Sequence, residues 1–231
     1  FDNYYTKDTV CGQSVETGNA LQKGDTVTLY VSKGPDKNPD NYDQKVVVSA
    51  SSGSSSGKLK LYNWENGSWK EAFSCKATVG KSGISSNYGE GNTATPKGTF
   101  KLGYLISTNN MAQSNWPFYP ATQYTCIVDD TSSSLYNQIK EYYNLPAGTG
   151  YDHLGKNLTN GNCSGLLFIE HNGNGASSAG VVRGNGSAIT ICGMNSGLSS
   201  TYGCIDIKSD DFYTLMANLD YSKNPHIEIT N

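Results

Sequence analysis

Apolar and polar residues alternate with a period of two along much of this chain. That spacing belongs to strands with one face in a core and one in water. Val27, Leu29 and Val31 alternate with Thr26, Thr28 and Tyr30, between turn signals at Lys23-Gly24 and Lys33-Gly34-Pro35, which predicts a half-buried strand. A second set begins at Lys45-Val46-Val47-Val48. After the Ser/Gly stretch 51–57, Leu59 and Leu61 alternate with Lys58 and Lys60, and Asn66-Gly67 predicts a tight hairpin turn before Trp69. Phe100, Leu102, Tyr104 and Ile106 repeat the pattern. Further strands are expected over 165–170 and 188–192, at Cys204-Ile205-Asp206-Ile207, and over 226–230, where the last would close the sheet.

Helical spacing is confined to two places. Leu135, Ile139, Tyr142 and Tyr143 predict one helix, stopped by Pro146. Phe212, Leu215, Met216 and Leu219 form the apolar face of another, with Ser209 as its expected cap and Asp210 and Asp211 in its first turn. The polar, proline-bearing stretch 37–43 separates a first segment, 1–36, from a mainly β domain over 44–231.

Composition narrows the function classes. The chain has 231 residues, only 16% of them charged, and a net charge of -3. With no Lys/Arg cluster, there is no electrostatic case for a nucleic-acid partner. No apolar run approaches the ~20 residues of a membrane span. Because the chain opens at Phe1 rather than Met, it is expected to be part of a longer protein, with any targeting segment upstream. Six cysteines stand at 11, 75, 126, 163, 192 and 204. None forms a C-x-x-C pair, so no metal or cofactor is implied, and their pairing is open.

Thr201-Tyr202-Gly203-Cys204 carries the sharpest chemical signal. Glycine permits a tight bend, and a thiol there can face a groove as a nucleophile. The backbone N–H groups of Gly203 and Cys204 are candidates to receive an oxyanion. The other reading makes Cys204 a small buried residue that opens a strand.

Several separated stretches, in order, resemble the L,D-transpeptidase (YkuD-type) catalytic domain. Ala77-Thr78-Val79-Gly80-Lys81-Ser82-Gly83 is similar to that family's early Gly-containing turn. Glu90-Gly91-Asn92 followed by Thr95-Pro96-Lys97-Gly98-Thr99-Phe100-Lys101-Leu102-Gly103 resembles its EG…TPxGxFxLG signature. Val128-Asp129-Asp130 and Asp152-His153-Leu154 match shorter landmarks, and Gly186-Ser187-Ala188-Ile189 resembles the strand leading to the catalytic motif. Thr201-Tyr202-Gly203-Cys204 fits [S/T]-x-G-C. The likeness covers about 185 residues and implies an L,D-transpeptidase-type β-sandwich with about two short helices. Val10-Cys11-Gly12-Gln13-Ser14-Val15 and Lys23 through Pro35 resemble the second half of a PASTA module. That segment is expected either as a truncated module or as a strand pair packed on the main domain.

The resemblance implies that Cys204 attacks a carbonyl of a peptidoglycan stem peptide, leaving a thioester that a neighbouring amine resolves into a cross-link. It also implies an extracytoplasmic place, at the cell wall or surface of a Gram-positive bacterium. One departure stands out. The family's histidine, twelve residues before the cysteine, is here Cys192. His171, after the strand over 165–170, is the expected replacement base if that strand pairs antiparallel with 188–192. His153, Thr201, Tyr202 and Cys192 are possible partners, His226 is expected to be structural, and Asp206 is expected to be a solvated strand carboxylate. The alternative is a catalytically silent, or Cys192–Cys204 disulfide-locked, peptidoglycan-binding module.

Overall fold

A computed structural model of the chain describes residues 5–34, 38, 40–112, 115–197 and 199–231. The first alternating stretch forms a small ribbon in which β1 (Val10–Gln13) pairs antiparallel with β2 (Leu29–Val31). Leu29, Tyr30 and Val31 are each more than half exposed, at 54%, 56% and 52%. The half-buried strand expected here is therefore a surface strand, since a two-stranded ribbon has no second layer to cover it. Of the expected linker, Lys37 and Pro39 lie outside the described residues, as does Pro35 before it. The described residues there are tied down: Asn38 N–H donates to Asp43 Oδ1 at 2.9 Å, and Asp43 N–H donates to the Lys223 carbonyl at 2.9 Å.

The ladder then follows the sequence pattern closely. β3 (Gln44–Ala50), β4 (Ser56–Glu65) and β5 (Ser68–Thr78) form an antiparallel meander. Asn66 and Gly67, at φ 52° and 72°, make the turn between β4 and β5. Positive φ at both central residues matches the twist of the flanking strands, which is why Asn-Gly marks such turns. A short parallel pair, β6 (Ile84–Ser85) and β7 (Thr95–Pro96), precedes β8 (Gly98–Ser107) and β9 (Phe118–Pro120). A separate three-stranded sheet comprises β10 (Thr125–Val128), β11 (Ile139–Glu141) and β12 (Tyr151–His153), with β10 central. The rest of the chain supplies α1 (Gly155–Thr159), β13 (Cys163–Ile169), β14 (Thr190–Met194), β15 (Ile205–Lys208), α2 (Ser209–Asn218) and β16 (His226–Thr230). The large sheet runs β13-β14-β15-β5-β4-β3-β16-β8-β9, and β13 also pairs with β8, joining the sheet into a ring. The architecture is mainly β, with two α-helices among the described residues.

Two expectations about helices need correction. No helix forms around Leu135–Tyr143. The Asn137 N–H bonds the Val128 carbonyl at 2.7 Å and the Ile139 N–H bonds the Gly175 carbonyl at 2.8 Å, so these donors serve tertiary partners instead of a helical ladder. Asn137 is also left-handed, at φ 58°. The segment becomes β11 and a 3-10 turn at Tyr142–Asn144. α2 forms where expected, with Phe212, Leu215, Met216 and Leu219 fully buried. Ser209 is not its cap, however. The capping position is Lys208, and Ser209 Oγ donates to the Gly193 carbonyl at 3.2 Å.

Strand alternation divides the core in two. Leu167, Ile169, Ile189, Ile191, Ile205 and Ile207 join one cluster with the α2 residues. Leu166, Phe168 and Cys192 point the other way, into a second cluster with Ile127 and Ile139 from the small sheet and Leu158 from α1. The candidate site opens on this second face.

Candidate functional site

β14 and β15 run parallel with Ile191 opposite Ile205 and Cys192 opposite Asp206. Residues opposite one another share a face, as do alternate residues on one strand. Thr190, Cys192, Cys204 and Asp206 are thus gathered on one side. All four line a cavity of about 470 Å³, together with Cys163, His153, Thr201 and Tyr202.

Both thiols approach one hydroxyl. Thr190 Oγ1 lies 3.1 Å from Cys192 Sγ and 3.5 Å from Cys204 Sγ. The Cys204 thiol donates to the Ala188 carbonyl at 3.2 Å. Ala188 is left-handed at φ 57°, with its N–H held by Asn137 Oδ1 at 3.0 Å. All six cysteines are free thiols, so the Cys192–Cys204 disulfide considered from the sequence is not formed.

Electrostatics separates Cys204 from the other core thiols. Burial pushes Cys75 up to about 12, and Cys126 and Cys163 up to about 11. Cys204 moves down instead. A hydrogen bond from the Cys192 thiol stabilises its thiolate, the Thr190 hydroxyl adds to this, and the two outweigh burial. Cys192 is correspondingly raised, by that same hydrogen bond and then by burial. Asp206 was expected to be solvated, but it is only 6% exposed, and its Oδ2 is buried without a hydrogen-bond partner. Burial raises its carboxyl to about 6.

The loop before Cys204 is fixed by backbone contacts. The Thr201 N–H donates to the Val79 carbonyl at 3.1 Å, and Lys81 N–H donates to the Thr201 carbonyl at 2.9 Å. Thr201 Oγ1 donates to the Cys204 carbonyl at 2.6 Å and accepts from Gly203 N–H at 3.1 Å. The Gly203 N–H, a candidate oxyanion donor from the sequence, is therefore engaged within the loop. At φ 125°, Gly203 sits so close to its surroundings that a Cβ would lie 2.8 Å from Ile189 Cδ1. Tyr202 is 86% exposed. It borders both the Cys204 cavity and a neighbouring hollow of about 170 Å³ lined by Glu90, Ser187 and Ile189.

The three histidines go to different places. β13 and β14 do pair antiparallel, with Phe168 opposite Thr190. β13 ends at Ile169, however, and the chain turns there, with His171 N–H bonding the Ile169 carbonyl at 2.8 Å. His171 does not line the Cys204 cavity. Its ring meets Tyr88 and Phe100 edge-on, and its Nε2 is buried without a partner. His226 stacks on Tyr42 at 4.5 Å. His153, at the end of β12, is the histidine that lines the cavity. The sequence reading missed Thr190 and the burial of Asp206. Their signal was the alternation Thr190/Cys192 and Cys204/Asp206. Among the described residues, no group of three or more His, Cys, Asp or Glu is arranged to hold a metal.

No family model matches the sequence, and no curated protein matches it. Among solved structures, the chain is similar to the helical cell shape determining protein Pgp2 from Campylobacter jejuni. The identity is 16% and the TM-score 0.44, over 84% of this chain and 51% of that one. It is also similar to Bd1075 of Bdellovibrio bacteriovorus, at 12% identity and TM-score 0.42, over 84% of this chain and 49% of that one. Both likenesses are distant, and the chain spans about half the length of either protein.

Proposed function

We propose that this chain is a cysteine acyltransferase of the L,D-transpeptidase type, acting on peptidoglycan stem peptides outside the cytoplasm, with Cys204 as nucleophile. The observation that carries the reading is a half-buried thiol at the wall of a large cavity, next to a hydroxyl that it shares with the Cys192 thiol, both of which favour its thiolate. Thiolate is the reactive form, and an ordinary thiol with pKa ~8.5 is mostly protonated at neutral pH.

Cys192 takes over part of the work of the absent histidine. It supplies a hydrogen bond to the thiolate, though no positive charge. The proton must then leave for another group, and His153, which lines the cavity, is a candidate. The thiolate attacks the peptide carbonyl carbon, the C–N bond breaks, and the departing amine takes up a proton. A second amine attacks the thioester and releases Cys204 as thiol. With the Gly203 N–H held by Thr201, the Cys204 N–H is the remaining candidate for the oxyanion.

The test is intact-protein mass spectrometry of the reduced chain with a carbapenem, alongside turnover of a tetrapeptide donor. An adduct on Cys204, absent from Cys204→Ala, is expected. Cys192→Ala should slow alkylation of Cys204 at pH 7 by roughly tenfold, the worth of one hydrogen bond to a charged sulfur. A chain that forms no adduct and turns over no donor, yet binds wall fragments, is the silent module instead.

A further inference from the structure

The small sheet and its connections carry a chain of aromatic rings, of which only His153 enters a step above. Tyr142 stacks on Tyr151 with ring centres 5.5 Å apart and planes 8° from parallel. Tyr124 meets Tyr142 at 5.4 Å and Tyr143 at 5.2 Å, both edge-to-face. His153 closes the series, 4.7 Å from Tyr151 and 5.5 Å from Tyr142. This is a surface feature: Tyr143 is 62% exposed and Tyr124 37%. Tyr142 and His153 also line a hollow of about 310 Å³, whose other walls are the polar side chains of Gln123, Lys156, Thr159 and Asn160. That volume is at the small end of ligand sites, about 300–1,000 Å³. His153 lines both this hollow and the Cys204 cavity, so the two are neighbours.

Exposed aromatic rings beside mostly neutral hydrogen-bonding groups suit a ligand that is apolar on its faces and polar at its rim. A pyranose has that form, with C–H groups on its faces and hydroxyl and acetamido groups at its edge. A nucleotide fits less well. It would bring phosphate to a chain of net charge -3, and one lysine lines the hollow. An apolar protein surface fits less well too, because amides and hydroxyls interrupt the patch. Position favours the sugar again, since a polymer whose saccharide rests on the rings could send a peptide branch past His153 to Cys204.

We infer that the ring series Tyr124, Tyr142, Tyr143, Tyr151 and His153, with the adjoining polar hollow, is a binding platform for N-acylated hexosamine units of a glycan strand. Its link to the peptide in the Cys204 cavity rests on the function proposed above, but sugar binding itself does not.

The experiment is calorimetric titration of the whole chain with a β-1,4-linked N-acetylglucosamine tetramer. Amide chemical shifts locate the bound tetramer. Binding with shifts at Tyr143 and Asn160 is expected. Tyr143→Ala should weaken it at least about tenfold, and Tyr143→Phe should keep most of it, because the ring supplies the contact. Tyr143 is largely exposed, so its truncation should leave the fold intact, and the shift spectrum of the free variant checks this. Absence of tetramer binding at millimolar concentration overturns the platform, as does unchanged binding by Tyr143→Ala or a free stem peptide that shifts the same amides. Acylation of Cys204 is scored separately. Sugar binding without acylation keeps the platform and removes the transpeptidase, whereas acylation without sugar binding does the reverse.

Discussion

Asp206 shows how much a single side chain can set in this site. Its carboxyl is buried opposite Cys192 and raised to about 6 from an ordinary 3.8. A raised folded-state value means that the fold prefers the protonated form. The stability this gives is complete below pH 3.8 and disappears as pH rises through about 6. A difference of that size corresponds to about 3 kcal/mol. Asp206→Asn is therefore expected to be more stable than the parent above pH 6, by up to about 3 kcal/mol, with the gap closing toward pH 4. Denaturant unfolding at several pH values measures it. The same negative charge opposes the Cys204 thiolate, so the variant should also alkylate from a lower pH. If its alkylation profile overlays the parent's, Asp206 does not act on Cys204. In the sequence, Thr201-Tyr202-Gly203-Cys204 marks Cys204 as the candidate nucleophile. It did not make the partners legible, because His171 lies beyond the end of β13, where the chain turns away. Strand alternation within 190–206 carried more of the geometry than the spacing of histidines.

At the scale of elements, long alternating stretches were predicted well, and short, loop-bound ones poorly. β4 and β8 each run 10 residues, and their pattern repeats often enough to outweigh any other spacing. β11 is 3 residues long, and the apolar spacing across it and the following turn imitates a helix. The hydrogen bonds from Asn137 to Val128 and from Ile139 to Gly175 could not be foreseen from local sequence. The loop into β15 depends on one conformation. Gly203→Ala places a methyl group 2.8 Å from Ile189 Cδ1, at φ 125°. A loss of roughly 1–3 kcal/mol is expected, together with a lower rate of Cys204 acylation. Thermal unfolding and single-turnover acylation check the two parts.

For the molecule as a whole, the joint between the ribbon and the main sheet is a contact of backbones. A Cβ on Gly67 would stand 2.2 Å from the Lys33 carbonyl oxygen and 2.8 Å from Gly34 Cα. Lys7 Nζ, 3.2 Å from Ser68 Oγ, is a side-chain contact at the same joint. Gly67→Ala should therefore free the ribbon while the ring of strands stays folded. Limited proteolysis should cut within residues 5–34 faster than in the parent and leave a resistant remainder. Equal cutting rates would mean that the ribbon is held elsewhere.

The pairing of β16 between β3 and β8 also governs how the chain is made. Lys45 and Glu228, ion-paired across β3 and β16 at 3.3 Å, are 183 positions apart. Contacts that distant slow folding, because the long loop between them must be closed first. The ring has no shortcut. While synthesis is still short of His226–Thr230, β3 lacks one neighbour and presents an open edge of backbone donors and acceptors. β3 therefore keeps that open edge until residues 226–230 have been made, whatever part of the ring has already paired.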